Sequence, residues 1–308
     1  MKPELPQAVL QPPPHGWRVW WAAARPRTLT LATAPVLAGT ALAWAEGAPY
    51  VWGAALAALL AALLIQVGTN LYNDAADHER GNDGADRLGP LRVTAAGWAS
   101  AAAVRRAAYL AFGTAFALGI TLVAAGGWPI LLIGSASLLA ALAYSGGPRP
   151  ISYTPWGEVC VWIFFGLCGV AGSYWLQAAQ FSPAALLAGA ATGLPAAAVL
   201  LVNNLRDRDT DLRAGRRTLA AVLGDDGSRR AYAVLMLLPF ASLPLFARLG
   251  QPGAWLAVLM LPACIGLARR LRHTDGAPLN LLLARTAQCA LGFAALLALG
   301  VFMGSLLR

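Results

Sequence analysis

Charged residues are scarce in this sequence, and lysine is almost absent from it. Only 12% of the 308 residues are charged, and Lys2 is the single lysine among 23 basic residues. Soluble globular domains carry about 25% charged residues, so this composition excludes an ordinary soluble domain. The hydrophobic share of 58% also excludes a disordered chain. The protein is therefore expected to lie in a lipid bilayer.

Cysteine is scarce as well, and its positions suit neither a disulfide scaffold nor a zinc site. The four cysteines lie in apolar runs without paired metal-ligand spacing: Cys160, Cys168, Cys264 and Cys289. They are expected to be small buried hydrophobic residues. The net charge of +9 does not indicate a nucleic-acid partner, because no water-facing stretch is long enough to present a basic patch.

Apolar runs fill most of the chain, and nine of them are long enough to cross a membrane. Spanning the roughly 30 Å hydrocarbon core takes about 20 helical residues. The predicted spans are Thr28 to Trp44, Trp52 to Tyr72, Ala107 to Ala125, Trp128 to Tyr144, Val159 to Gln177, Pro183 to Val202, Ala231 to Ala247, Pro252 to Ala268 and Thr286 to Leu307. The pattern predicts an all-α, polytopic membrane protein with a single domain over residues 17–308. The proline-rich residues 1–16 are expected to form a disordered tail and not a signal peptide.

The positions of the basic residues test this arrangement. Nine spans place the N-terminus and the loops after spans two, four, six and eight on one side of the membrane. These segments hold 21 of the 23 basic residues, and only Arg248 and Arg308 fall on the other side. Because cytoplasmic loops carry the excess of basic residues, the N-terminus is predicted to be cytoplasmic and the C-terminus outside.

Acidic residues are concentrated in two of these loops. Ten of the 14 follow spans two and six, which place both groups on the same predicted face. In each group an asparagine precedes carboxylates at helical spacing. If the helices continue past the apolar runs, one face of each carries an amide and two carboxylates: Asn70, Asp74 and Asp77 on the first, and Asn203, Asp207 and Asp211 on the second.

These acidic groups indicate a metal site. Like charges one turn apart destabilise a helix, so a bound cation is expected between them. Carboxylate and amide oxygens without His or Cys partners suit Mg²⁺, with Mn²⁺ as an alternative. Mg²⁺ usually binds through one or two carboxylates, water and substrate phosphates, so a diphosphate held between the two groups is expected. Arginines of both loops would add contacts to phosphate: Arg80, Arg87, Arg92, Arg206, Arg208, Arg213, Arg216 and Arg217.

Two amides inside span two have a second interpretation. An unpaired amide in an apolar environment costs free energy, so Gln66 and Asn70 either face a ligand or bond to neighbouring helices. The sequence leaves both interpretations open.

The two acidic motifs resemble those of the UbiA superfamily of intramembrane prenyltransferases, which have the forms N-x-x-x-D-x-x-x-D and D-x-x-x-D. The matching residues are Asn73 and Asp77 in the first motif and Asp207 and Asp211 in the second. Gly81 stands at the third carboxylate position of the first motif, with Asp83 two residues later. This departure is similar to the pattern of the menaquinone branch, the 1,4-dihydroxy-2-naphthoate prenyltransferases. Further segments resemble that branch in order: 25–29, 87–94, 144–158, 203–219 and 280–286.

The resemblance implies a nine-helix bundle around a central cavity, covered by a polar cap of cytoplasmic loops in a bacterial inner membrane. It also implies Mg²⁺-assisted transfer of a polyprenyl group from a polyprenyl diphosphate to 1,4-dihydroxy-2-naphthoate, with loss of diphosphate and CO₂. The implied metal ligands are Asn70, Asn73, Asp74, Asp77, Asp83, Asp207 and Asp211, with Asn70 and Asp74 as ligands or supports. The implied substrate contacts are Gln66, Arg92, Arg149, Tyr153, Asn203, Arg206 and Arg216. The implied catalytic residues are Asp77, Asp207, Asp211 and Tyr144.

Two alternative functions remain open from the sequence. Within the same class, the acceptor would be 4-hydroxybenzoate or homogentisate. From another class, a cation-coupled transporter would also carry acidic groups, but transporters place such sites near the bilayer midplane on broken helices. The acidic groups here lie at span ends beside arginines, which favours the enzyme.

Overall fold

The structure is a computed structural model that describes residues 14–82 and 87–307. Its helices are α1 (Trp17–Ala24), α2 (Pro26–Ala45), α3 (Trp52–Glu79), α4 (Ala101–Gly126), α5 (Trp128–Ser145), α6 (Gly157–Ala178), α7 (Pro183–Arg206), α8 (Arg208–Arg213), α9 (Leu219–Arg248), α10 (Pro252–Leu271) and α11 (Leu279–Leu306). In the described ranges, all but α1 and α8 are long and apolar enough to cross a bilayer. The predicted all-α fold and its nine spans are therefore confirmed, and this is an integral membrane protein.

Local sequence signals fix where several spans begin. The hydroxyl of Ser182 accepts hydrogen bonds from the backbone N–H groups of Ala184 and Ala185, and Ser100 caps α4 in the same way. Such caps satisfy N–H groups that have no partner within a helix. Gly127 joins α4 to α5 with φ of 70°, a conformation that glycine adopts at little cost. The result is a tight turn between two antiparallel spans.

Small residues allow the spans to approach one another closely. A Cβ atom at Gly300 of α11 would lie 2.0 Å from the carbonyl oxygen of Gly253 in α10. Gly166 of α6 meets Gly189 and Gly193 of α7 in a similar way. Lipid is as apolar as a leucine side chain, so membrane helices associate largely through close packing at such positions.

The structure differs from the predicted boundaries at the helix ends that carry the acidic motifs. Helix α3 continues through the first motif to Glu79, as the spacing predicted. Helix α7 instead ends at Arg206, and the second motif continues in the separate short helix α8. The condition that the helix continues unbroken is therefore met at the first motif but not at the second, where Asp207 adopts a non-helical backbone (φ −96°, ψ 6°). Asp211 N–H still bonds to the Asp207 carbonyl at 2.8 Å, so one turn separates the two residues.

Helix α1 was not predicted. It packs Val19 and Ala23 inward while Trp17 and Trp21 are exposed, and it meets α3. The predicted tail over residues 1–16 lies almost wholly outside the described residues.

The loops after α3, α5 and α7 meet at one end of the bundle, together with the start of α11. Arg80 donates to the carbonyl of Ser145 at 2.6 Å, and Arg217 N–H bonds to the carbonyl of Tyr153 at 3.0 Å. Asn280 of α11 donates to the carbonyl of Leu88 at 2.8 Å. These loops form a polar cap over the helix ends that carry the two acidic motifs.

Candidate functional site

A cavity of about 1140 Å³ extends from the polar cap into the bundle. Its inner part is apolar and is lined by residues such as Leu31, Pro35, Ala58, Ile65, Phe116, Ile130, Phe164 and Phe165. Along α3 the lining runs from Ala58 to Asn73, a length of roughly 22 Å at 1.5 Å per residue. Ten predicted site residues line the cavity: Gln66, Asn70, Asn73, Arg92, Tyr144, Asn203, Arg206, Asp207, Asp211 and Arg216.

The first motif brings the amide of Asn73, which lines the cavity, and the carboxylate of Asp77, which does not line it, to the polar end. Asp77 is 1% exposed, and its carboxylate lies 2.5 Å from the guanidinium of Arg92. Asn73 donates to Ser145 Oγ at 2.9 Å and accepts from Arg92 at 3.1 Å. Arg92 therefore holds both residues of the motif in fixed positions.

The second motif contains a corresponding arginine. Arg206 contacts both carboxylate oxygens of Asp207, at 2.8 and 2.5 Å. The same guanidinium donates to the amide oxygens of Asn203 at 2.9 Å and Asn280 at 2.7 Å. No role was predicted for Asn280 from the sequence. The one indication of a function was that Asn280 begins the segment 280–286, which resembles the menaquinone branch.

Arg216 joins the two motifs across the bundle. Its guanidinium contacts Asp77 of the first motif and lies 3.5 Å from Asp211 of the second. The ring of Tyr153 lies under this guanidinium, 4.7 Å from it, and the Tyr153 hydroxyl accepts from Asn82 at 2.7 Å. Tyr153 does not line the cavity but orders the arginine that does. The predicted convergence of the two acidic groups is present in the structure.

Two predicted metal ligands, Asp74 and Asn70, and one predicted substrate contact, Gln66, are hydrogen-bonded to other parts of the protein. The carboxylate of Asp74 accepts from the backbone of Val93 at 3.2 Å and of Thr94 at 3.3 Å, and from the Thr94 hydroxyl. These bonds use both of its oxygens, which favours the supporting role over the metal-ligand role.

Gln66 and Asn70 line the cavity, but their amides join α3 to the start of α2. Asn70 donates to the carbonyl of Ala24 at 2.9 Å and to the Thr28 hydroxyl at 3.0 Å, and Gln66 donates to Asn70 at 3.2 Å. Of the two interpretations left open by the sequence, the geometry favours bonding to a neighbouring helix.

The remaining predicted residues separate into three cases. Tyr144 lines the cavity at the end of α5. Arg149 is exposed and does not line the cavity, so the structure does not bring it to the predicted substrate contacts. Asp83 lies outside the described residues.

The electrostatics of the polar end favour a bound cation beside the carboxylates. Burial raises the pKa of Asp211 to about 6; the nearby carboxylates of Asp207 and Asp77 add to this, and Arg216 opposes it. Asp211 is 8% exposed, and Arg216 at 3.5 Å, together with Arg87, offsets the cost of burying its charge only in part. The described residues contain no group of three His, Cys, Asp or Glu side chains that would enclose a metal. This donor set fits Mg²⁺, which uses few carboxylates and completes its shell with water and phosphate.

Arg25 adds a buried positive charge to the same cavity, which Asp74 and Asp77 offset only in part. It joins α1 to α2 in a left-handed backbone conformation (φ 51°) and lines the cavity. Burial, together with the neighbouring charges of Arg92 and Arg87, lowers its pKa to about 10. An arginine whose charge is disfavoured by its surroundings indicates a site prepared for an anion. No role was predicted for Arg25, although it begins one of the segments that resemble the menaquinone branch.

The fold and the site together define a polytopic membrane protein with an acid- and arginine-rich site at the mouth of a deep apolar cavity. The chain belongs to the UbiA prenyltransferase family, whose sequence model matches residues 32–282. It is 37% identical over 297 residues to the 1,4-dihydroxy-2-naphthoate octaprenyltransferase of Escherichia coli (strain K12), covering 93% of this chain and 96% of that protein. It is also 37% identical over 260 residues to the protein of that name from Mycobacterium tuberculosis, covering 83% and 87%.

Solved structures share the fold. A UbiA homolog from Archaeoglobus fulgidus, bound to DMAPP and Mg²⁺, has a TM-score of 0.63 and 15% identity, covering 92% of this chain and 99% of that one. The apo UbiA homolog from Aeropyrum pernix K1 has a TM-score of 0.64 and 18% identity, covering 89% and 97%.

Proposed function

We propose that this protein transfers a polyprenyl group from a polyprenyl diphosphate to 1,4-dihydroxy-2-naphthoate, releasing diphosphate and CO₂ and forming demethylmenaquinol. The observation that carries this proposal is the meeting of two acidic motifs and three arginines at the polar end of a deep apolar cavity. The naphthoate acceptor is supported by three relatives that share 35–37% identity with this chain and are named 1,4-dihydroxy-2-naphthoate octaprenyltransferase.

The polar end would bind the diphosphate. Mg²⁺ would be held by Asn73, Asp77, Asp207 and Asp211, and when bound it would stabilise the charge that develops on the departing diphosphate. Arg92, Arg206 and Arg216 pair with these carboxylates in the structure. With Mg²⁺ held by the carboxylates, the guanidinium groups would be available to phosphate oxygens, which they match well as bidentate donors. Arg25 adds a further positive charge to the same region.

The apolar part of the cavity would hold the prenyl chain and protect the reacting carbon. Cleavage of the allylic C–O bond leaves positive charge on that carbon, and water would quench it. A wall of residues such as Leu31, Ile65 and Phe165 keeps water away. The ring carbon that carries the carboxylate then forms the new C–C bond, and loss of CO₂ restores the aromatic ring. The reaction thus needs no added oxidant or reductant.

The protein would work at the inner face of a bacterial inner membrane. The segments that hold 21 of the 23 basic residues all fall on one predicted side of the membrane, and the polar-cap loops are among them, which supports a cytoplasmic location for the site and the N-terminus, with the C-terminus outside. Soluble naphthoate would then reach the site from the cytoplasm, and the lipid-soluble donor would reach it from the bilayer.

An acceptor assay tests the proposal. Membranes that contain the protein are supplied with one labelled polyprenyl diphosphate and with naphthoate, 4-hydroxybenzoate or homogentisate, each with and without EDTA. We expect labelled product from naphthoate alone, its loss in EDTA and its recovery with Mg²⁺. Asp77→Ala and Asp207→Ala membranes serve as inactive controls. Product from 4-hydroxybenzoate alone would overturn the acceptor assignment, and full activity in EDTA would overturn the metal assignment.

A further inference from the structure

A buried carboxylate stands beside the cavity without an arginine partner. Glu158, the second residue of α6, is 3% exposed. Its Oε1 accepts from Asn204 Nδ2 at 2.9 Å, and no Arg or His of the described chain lies within 4 Å of it. Its other oxygen, Oε2, is buried and has no hydrogen-bond partner among the described residues. An ionisable group in a membrane span is costly to keep, so a function is expected for it.

The partner of this carboxylate faces the cavity. Asn204 lies on α7, is 8% exposed and lines the cavity beside Leu200. Because Asn204 Nδ2 donates to Glu158 Oε1, the NH₂ group of the Asn204 amide points toward α6 and its oxygen points away from Glu158. The other atom, Asn204 Oδ1, accepts no hydrogen bond from any residue in 14–82 or 87–307, and it is not sealed from the cavity. The cavity therefore contains an oriented acceptor atom.

The position of Asn204 indicates what this atom meets. It precedes Asp207 by three residues, about 4.5 Å along the helix axis, on the side toward the apolar part of the cavity. The diphosphate lies at Asp207 in the proposed function, so the reacting carbon and the aromatic ring lie about one turn deeper. A carbonyl oxygen repels phosphate but accepts from a hydroxyl group.

We infer that Asn204 Oδ1 accepts a hydrogen bond from a hydroxyl group of the aromatic acceptor, and that Glu158 is the positioning residue that orients the Asn204 amide for this contact. The inference rests on the proposed function, since it places the acceptor in this cavity. It assigns to the pair the recognition of a phenol-type hydroxyl.

Kinetic constants separate this role from binding of the donor or the metal. Asn204→Ala should raise the KM for naphthoate roughly 3- to 10-fold, the range expected for one hydrogen bond between neutral groups. The KM for the polyprenyl diphosphate and the Mg²⁺ concentration for half-maximal rate should change less than about twofold. Thr192→Val is the matched control: Thr192 is a buried polar residue of α7 whose hydroxyl bonds within the helix to Ala188, and it does not line the cavity.

Variants of Glu158 test the positioning role. Glu158→Leu should reproduce the naphthoate KM of Asn204→Ala, because the amide is then free to turn. Glu158→Gln should recover much of the loss, because its carbonyl oxygen can still accept from Nδ2. If Glu158→Gln and Glu158→Leu are equally impaired with the naphthoate KM unchanged, the positioning role is wrong.

Two naphthoate analogues, each with a different hydroxyl replaced by methoxy, give a test that does not depend on the Glu158 variants folding. The wild-type enzyme should lose affinity for the analogue that lacks the contacting hydroxyl, whereas Asn204→Ala should show little further loss, because the two changes remove one interaction. Additive losses for both analogues, or a raised donor KM or Mg²⁺ requirement in Asn204→Ala, would overturn the inference. A wild-type enzyme without naphthoate turnover would instead refute the proposed function.

Discussion

Arg216 contacts the carboxylate of Asp77, although 139 positions separate the two residues in the chain. This contact ties the end of α3 to the segment after α8 and so brings the two acidic motifs to one site. Asp211, 3.5 Å from the same guanidinium, completes a buried group of two carboxylates around one arginine. The site therefore has a defined shape before substrate and metal enter it.

Removing this arginine should impair both assembly of the site and contact with phosphate. We expect Arg216→Met to lower kcat/KM roughly 100-fold or more, as for loss of a charged group that stabilises a transition state. Arg216→Lys should be only partly active, because an ammonium group lacks the bidentate geometry. The matched control is Arg217→Met, since the neighbouring Arg217 is exposed. Equal activity of the two methionine variants, measured as prenylated product, would contradict the assignment.

The second motif permits a comparison between adjacent carboxylates. Asp207 and Asp211 line the cavity, whereas the Asp209 side chain between them is 79% exposed and pairs only with Arg208 among described residues. Asp207→Asn and Asp211→Asn should each lower kcat by roughly 100-fold or more at fixed Mg²⁺. Asp209→Asn should stay within about twofold of the wild type. A similar loss in all three variants would indicate a general effect of loop charge and not a metal site.

The raised pKa of Asp211 predicts that metal binding depends on pH. Its pKa near 6 follows first from burial, and only its ionised form binds a cation. Stabilisation of the protein by Mg²⁺ plus inorganic diphosphate, measured by thermal unfolding in detergent, should therefore increase as the pH rises through about 6. Asp211→Asn should remove much of this increase, and Asp209→Asn should retain it.

Without metal, in EDTA, the Asp211 carboxyl should instead make the folded protein less stable as the pH rises. Its folded pKa lies above the value of about 3.9 for an unfolded chain, so its protonated form favours the folded state. Its contribution to stability is full below pH ~4 and is lost as the pH rises through about 6. In EDTA, the unfolding temperature of Asp211→Asn minus that of the wild type should therefore increase between pH ~4 and pH ~6. A constant difference would show that Asp211 titrates normally.

Asp74 is expected to stabilise the folded protein and not to bind the metal. Its carboxylate accepts three hydrogen bonds from Val93 and Thr94 and is 1% exposed. Asp74→Ala would leave those buried donors without partners and should destabilise the fold by about 2–3 kcal/mol. Thermal unfolding in detergent measures this, with Asp226→Ala, which removes an exposed carboxylate, as the control. A raised Mg²⁺ requirement of the folded variant with unchanged stability would restore the metal-ligand role.

Much of this arrangement was predictable because it depends on local sequence properties. The number of spans follows from the length of each apolar run. The shared face of Asp77 and Asp211 follows from an even number of crossings between them. Their partners could not be predicted in this way: which arginine meets which carboxylate depends on how the cap loops pack. Asp74 is an example: its spacing in the motif predicts a metal ligand, but its hydrogen-bond partners Val93 and Thr94 lie 19 and 20 residues further along the chain.

The sequence also contained signals that were too weak to assign. Helix α1 is only eight residues long, shorter than any membrane-spanning pattern. The break after Arg206 arises where the chain turns from the bundle into the cap, and no proline or glycine marks it. Glu158 is a lone carboxylate in an apolar run, and only the fold shows that Asn204 is its partner.

The apolar part of the cavity predicts how the length of the prenyl donor is limited. Gly134 of α5 lines the cavity, and a Cβ atom there would meet nothing within 4 Å. Gly134→Leu should therefore fill part of the space for the prenyl chain without straining the fold. We expect kcat/KM for a long polyprenyl diphosphate to fall roughly 10-fold or more. A displaced chain loses about 0.8 kcal/mol for each CH₂ group that is no longer buried. The kcat/KM for the short geranyl diphosphate should change by about twofold or less, because its chain does not reach the added side chain.

Gly113→Leu is the matched control for this variant. Gly113 of α4 also has nothing within 4 Å of a Cβ atom, but it does not line the cavity. Both variants add the same side chain to an exposed or open position of a spanning helix, so any general effect on insertion or folding should be shared. Competition between long and short labelled donors in one reaction gives the ratio of their kcat/KM values directly. If the two variants shift that ratio equally, the prenyl chain does not pass Gly134, and the apolar part of the cavity is not its binding site.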